Sequence, residues 1–323
     1  MSLDISLEEL HDHVRDAVIV ELTTLPTYLY PYWTIKPPEG PHAEHRQAAR
    51  DNIRTVILEE MLHMGLASNL LNALGGTPDF NHPDHVPTFP RTILKSRHHG
   101  DVGVPVDLYP LGHDALELMC RIELPDWDAT DGELTIGDFY DTQIRQHLPD
   151  DPSAYLDGGQ PRRQLAGWDN PGPGKLFDIT DKHTAELAIT EILDQGEGLR
   201  KGDPGDGYGE PAHYDRFRNV QKWWDAHLLT PDDVYPVVAS PHRHHTNYSP
   251  EQKRANHRFN VEYSQMLDAI AKTLMTNYPD IYPVAAAHMR QLQQLADDLR
   301  LVEGDFNAGP TFDYIRADER RTS

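Results

Sequence analysis

Cysteine is all but missing from the sequence: Cys120 stands alone in 323 residues. One thiol forms no intramolecular disulfide and builds no cysteine-ligated zinc or iron–sulfur site. Basic residues are also scarce. Lys and Arg total 29 against 52 Asp and Glu, a formal charge of −23, and so acidic a surface repels phosphate backbones and anionic bilayers. Nucleic acid and membranes are therefore not expected partners. No apolar run approaches the roughly 18 residues of a membrane-spanning helix, and Met1–Ser6 has neither the basic stretch nor the apolar segment of a secretory signal. A cytoplasmic protein is expected. The glycine-rich stretch from Gly196 to Gly209 lacks the Lys-Ser/Thr ending of a phosphate loop. There is no Gly-x-Ser-x-Gly and no short-period repeat.

Proline and histidine, by contrast, are plentiful, at 26 and 19 residues. A capping pattern, Ser6 followed by Glu9, opens a predicted first helix over 6–35, in which Val14, Val18, Glu21, Leu25, Tyr28 and Tyr32 recur at helical spacing. Pro26 falls inside it, where a kink or a widened turn is expected. A second helix is predicted over 44–74, ended by Gly75-Gly76-Thr77-Pro78. Residues 76–180 read as a long loop-rich insertion with a short strand near 102–106 and brief helices near 113–124 and 136–148. Further helices are predicted over 181–197 and 210–228, and a C-terminal helical pair over 250–302. The whole chain, 1–323, reads as one domain. Its fold class is all-α: a four-helix bundle carrying that insertion and the additional C-terminal helices.

Acids and histidines occupy positions on these helices where apolar residues belong. Glu21 sits between Val18 and Leu25, and Glu60 between Ile57 and Met64, with His63 one turn on. A buried, unpaired carboxylate costs several kcal/mol, so several at one level of a bundle call for a cation between them. Di-metal carboxylate bundles meet this with one Glu from each of two helices and Glu-x-x-His from each of the other two. Glu60-Met61-Leu62-His63 is one such pair and Glu210-Pro211-Ala212-His213 a second. Glu59 reads as a surface neighbour of His63. The remaining acid is open among Glu197, Glu123 and Glu191, in that order. Tyr28 and Tyr32 are candidates for a substrate pocket. The clusters Arg97-His98-His99 and His242, His244 and His245 read as solvated loops.

Several segments together resemble the bacterial ferritin-like family of the iminophenyl-pyruvate dimer synthase type. They include Val20–Leu29, Leu58–Met64, Ala67–Gly76, Thr135–Tyr140, Gln195–Gly198, His213–Phe217, Tyr263–Leu267 and Gly309–Phe312, in the same order along the chain. The resemblance implies a ferritin-like bundle and a place in bacterial secondary metabolism. It also implies chemistry related to the oxidative coupling of amino-acid-derived imines.

From these residues the expected function is a non-haem di-iron oxidoreductase that activates O2 or peroxide on a small organic substrate. Its cofactor would be two iron ions, with manganese as the alternative metal. Glu21, Glu60, His63, Glu197, Glu210 and His213 form the expected ligand set, with Glu123 and Glu191 in reserve. Oxidative imine coupling is the second expectation. A ferroxidase or iron-storage subunit, or a metal-free structural partner, are the remaining alternatives. A homo-oligomer is compatible with all of them.

Overall fold

The computed structural model describes residues 5–94, 103–155, 164–166, 174–198, 210–276, 282–305 and 307–321. Helix α1 (Leu7–Thr34) begins where the capping pattern places it, with Ser6 Oγ accepting the Glu9 backbone N–H at 3.1 Å. It runs unbroken through Pro26 and Pro31. Helix α2 (Ala43–Ala73) returns beside it. Between Glu60 and Asp79 there is no charged residue, and from Glu59 to Ala73 every residue of α2 except Met61 is buried. The second half of α2 therefore has no solvent face. It is enclosed on all sides.

The insertion holds the short strand and the two brief helical segments predicted for it, and one strand more. Strands β1 (Arg91–Ile93) and β2 (Val104–Val106) form an antiparallel pair with Arg91 opposite Val106. The Arg97-His98-His99 cluster lies outside the described residues. Helix α3 (His113–Ile122) follows, then α4 (Ile136–Phe139), which continues as a π turn (Tyr140–Ile144) and a 3-10 turn (Arg145–His147) instead of the single helix predicted over 136–148. Helix α5 (Lys182–Gly196) starts at a reciprocal capping box between Asp181 and Thr184. Helix α6 (His213–Asp225) starts three residues later than predicted, because Pro211 and Ala212 precede its first turn. The short α7 (Pro241–His244) leads to the long hairpin of α8 (Pro250–Thr276) and α9 (Tyr282–Leu301).

Four helices close a ring: α1 lies against α2, α2 against α6, α6 against α3, and α3 against α1. The sequence reading placed α5 in this ring; the structure puts α5 outside α2 and draws α3, from within the insertion, into the ring. The C-terminal hairpin packs on α1 through α9 and on α2 through α8. His242, read as solvated, instead lies 2.9 Å from the Thr311 carbonyl, and Asn256 and Asn260 donate to Thr311 Oγ1 at 2.9 Å each, so the tail is tied to α8. Among the described residues no helix is long and apolar enough to cross a membrane.

Asn69, buried on α2, ties down the insertion. Its Nδ2 donates to the carbonyls of Leu165 (2.8 Å) and Phe177 (3.1 Å), and its Oδ1 accepts the Leu165 N–H at 2.9 Å. Asn69→Ala removes the side-chain partner of these three backbone groups, two of them on buried Leu165. It should lower unfolding stability by about 1–3 kcal/mol in a denaturant titration and open the 164–179 segment to limited proteolysis. Parent-like stability and cleavage would count against the anchoring role.

Candidate metal centre

The ring of α1, α2, α3 and α6 encloses polar groups where a core of aliphatics would otherwise stand. Glu21 reaches inward from α1, Glu59, Glu60 and His63 from α2, Glu123 from the residue that caps α3, and His213 from the first turn of α6; all six are buried. Glu60 is central. Its Oε1 lies 2.9 Å from His213 Nδ1 and 3.7 Å from His63 Nδ1, while Oε2 lies 2.5 Å from Thr24 Oγ1. Glu21 Oε2 is 3.9 Å from His63 Nδ1, and Glu123 Oε2 is 3.5 Å from His213 Nδ1. Ligand atoms of Glu60, His63 and His213 all fall within 4.8 Å of one another, a group suited to a metal ion.

Both imidazoles turn the same nitrogen inward. His63 Nε2 lies 2.9 Å from Gln195 Oε1, and Gln195 Nε2 donates to Glu191 Oε1 at 3.1 Å. The amide oxygen therefore faces His63, and His63 Nε2 must carry the proton. On the other ring, Nε2 of His213 lies 2.9 Å from Glu59 Oε2. With Nε2–H committed in each case, the Nδ1 lone pairs point at the carboxylates. As the lone-pair nitrogen of a neutral ring, buried His213 Nδ1 has no hydrogen-bond partner among the described residues, although two carboxylate oxygens lie within 3.5 Å. A nitrogen lone pair facing carboxylate oxygens is repulsive until a proton or a cation comes between them. The donor set, three carboxylates and two imidazoles around Glu60, fits iron or manganese.

The surrounding hydroxyls hold the acids in place. Tyr140 donates to Glu21 Oε1 at 2.7 Å, and the Tyr28 hydroxyl donates to Glu123 Oε1. Burial and the neighbouring carboxylates push both phenols well above their ordinary range, so they remain neutral donors. Without a cation the acids compensate by holding protons. Burial, then the neighbouring Glu60, raises Glu21 well above the usual carboxylate range, and burial with Glu123 raises Glu60. Burial pushes His63 down to about 3, with the neighbouring His213 adding to the effect. Burial also opposes charge on His213, but its contacts with Glu123, Glu59 and Glu60 outweigh that and raise it.

Of the expected set, Glu21, Glu60, His63 and His213 are brought together, and Glu123 joins them from α3. Glu197 does not. Its carboxylate accepts backbone N–H groups from Gly137 (2.6 Å) and Asp126 (3.2 Å), and burial beside Asp126 raises it to about 8. A Cβ at Gly137 would fall 2.6 Å from Glu197 Oε2, so the glycine makes room for this seat. Glu210 stands apart as well. It precedes α6, and without helical backbone the i, i+3 spacing no longer aims it inward; it is half-exposed and its Oε2 accepts from Arg216 Nη2 at 2.5 Å. Glu191 supports Gln195 from a second layer. Glu59, read as a surface residue, is buried against His213. Its position one residue off the apolar stripe is misleading only because α2 is enclosed on every side. The long uncharged run after Glu60 was the available signal. Thr24, Tyr140 and Gln195 carried none.

Of the pocket candidates, Tyr28 faces Glu123, whereas Tyr32 lines a separate cavity of about 450 Å³ between the α1–α2 pair and the C-terminal hairpin.

A ferritin-like family model matches residues 14–222, well over half of the 323-residue chain. The chain is 25% identical over 317 residues to the 2-imino-3-(indol-3-yl)propanoate dimerase of Chromobacterium violaceum; the match takes in 88% of this chain but only 29% of that much longer protein. The crystal structure of a ferritin-like protein from Caulobacter vibrioides superposes with a TM-score of 0.58 at 21% identity, covering 97% of this chain and 99% of that one. The family match, together with a ring of helices that buries its acids at one level, makes this chain a member of the ferritin-like family.

Proposed function

We propose that the chain is a non-haem di-iron oxidoreductase that uses O2 or peroxide on a small organic substrate. The orphaned Nδ1 of His213, buried among carboxylates, is the observation that carries this reading. Glu21, Glu60, His63, Glu123 and His213 would hold the ions. The usual ferritin-like pattern supplies a further inward glutamate from the second Glu-x-x-His pair; here Glu210 is turned away, which leaves a five-residue set and more open positions for an oxidant or substrate. Bound iron would supply one-electron redox chemistry and activation of the oxidant. The chain's own groups hold the rest in place. Gln195 and Glu59 keep Nδ1 of each histidine free for a metal, Tyr140 and Tyr28 orient Glu21 and Glu123, and burial keeps bulk water from the carboxylates.

The likeness to the imine dimerase favours a second reading within the same chemistry: oxidative coupling of two imine or enamine molecules. Product mass separates the two. A coupled dimer supports the second reading, and a monomeric product that gains one oxygen or loses two hydrogens supports the first.

Metal analysis of reconstituted protein should find about two metal ions per chain. Glu60→Ala and His213→Ala should each remove at least half of that metal. Glu123→Gln should likewise lose metal, whereas Glu197→Gln and Glu210→Gln should keep it. Retention by Glu123→Gln together with loss by Glu197→Gln would reverse the assignment.

The proton-holding cluster makes a further prediction. With Glu21, Glu60 and His213 all raised, metal loading must displace protons. Calorimetric titration in buffers of different ionisation enthalpy should show release of more than one proton per chain near neutral pH. At Glu21, Glu60 and His213 the metal-free fold binds more protons than the unfolded chain, so their contribution to stability falls as pH rises above each group's ordinary value, while His63, pushed down by burial, acts in the opposite sense below its own. The thermal shift produced by metal should accordingly grow with pH. A shift that is flat across pH 5–8, or no proton release, would contradict the placement of metal at these acids.

A further inference from the structure

The 450 Å³ cavity lies behind the metal-centre helices. α1 and α2 turn Glu21, Thr24, Glu60 and His63 toward the ring, and they turn Leu25, Leu29, Met61 and Met64 toward α8 and α9. No side chain of the metal cluster lines the cavity, so it is a separate compartment. Its volume is within the usual small-molecule range of about 300–1,000 Å³.

Two features define what would enter it. The walls are largely apolar, and four of the chain's seven methionines (Met61, Met64, Met266 and Met289) face the space. Methionine walls adapt to bodies of differing shape. The charge at the mouth is of one sign. Arg54 from α2 and Arg290 from α9 both contribute to the lining and both are exposed, yet neither has a hydrogen-bond or ion-pair partner among the described residues. In a chain with 52 acids and 29 bases, no acid among the described residues lines this cavity. Gln293 adds an amide to the same wall, and the wall also includes Tyr263, whose buried hydroxyl has no hydrogen-bond partner among the described residues. Two unpaired guanidinium groups beside an apolar chamber match an apolar body that ends in a carboxylate.

We propose that this cavity is a binding site for an organic monocarboxylate, with the apolar body between α1, α2, α8 and α9 and the carboxylate at Arg54 and Arg290. It stands apart from the metal reading, because it uses none of the cluster's side chains. Alkyl and aromatic acids share the required chemistry, and separate probes distinguish them.

The test is isothermal titration of the full chain with decanoate and with 3-phenylpropanoate, each beside its neutral amide; Trp33 in the wall provides a fluorescence readout of the same events. At least one acid should bind once per chain, about tenfold or more tighter than its amide. Selective binding of decanoate would identify an alkyl acid site, and selective binding of 3-phenylpropanoate an aromatic one. Arg54→Gln combined with Arg290→Gln, both at exposed positions, should weaken the acid about tenfold or more while leaving the amide and the metal content unchanged. Ala286→Trp, which places bulk in the lining, should abolish acid binding with both arginines intact. The proposal is overturned if neither acid binds, if acid and amide bind alike, or if the double arginine variant or the tryptophan variant binds the acid as the parent does.

Discussion

Nearly everything in the helical ring is arranged around one contact that is favourable only with a positive charge in it: the inward nitrogen of His213 against the carboxylates of Glu60 and Glu123. Those groups come from three different helical segments, so the contact is set by how the ring packs. Glu59 fixes the far side of the His213 ring, Gln195 fixes His63, and two tyrosine hydroxyls hold Glu21 and Glu123. On the proposed reading the same residues would hold protons when metal-free and cations when loaded, which would couple metal occupancy to pH and to the stability of the fold.

The hairpin of α1 and α2 separates two environments. Its inner face carries the acids and imidazoles of the centre; its outer face, covered by α8 and α9, is apolar and borders a chamber with an arginine-bearing mouth. Pro26 belongs to the outer face, two residues from Thr24 on the inner one. Family membership accounts for the ring. The long hairpin of α8 and α9 lies beyond residue 222, where the family match ends, and it creates the second compartment.

How far the sequence predicts this arrangement depends on whether each residue's environment is local. Glu21, Glu60 and His63 lie on long helices with strong apolar periodicity, so their inward direction is legible from spacing alone. His213 is legible too, as the last residue of a Glu-x-x-His run. Glu210 misleads because spacing speaks for geometry only inside a helix, and Pro211 delays the helix start past it. Glu123 ranks below Glu197 on sequence because Glu197 lies next to an apolar helix face while Glu123 ends a short helix; its entry into the ring is a tertiary choice made by packing against α1 and α6. Glu197 has the burial of a ligand but is engaged by two backbone N–H groups from the insertion, a pairing between distant segments that no local pattern encodes. Tyr140 and Gln195 are likewise visible only once the insertion and α5 are folded against the ring.

If the buried acids and imidazoles share cations, crystallography of iron-loaded protein, with anomalous data collected on both sides of the iron absorption edge, will show two anomalous peaks inside the ring, one near His63 Nδ1 and one near His213 Nδ1. Peaks confined to surface carboxylates, or a ring that holds only water and protons at full iron loading, would contradict that sharing.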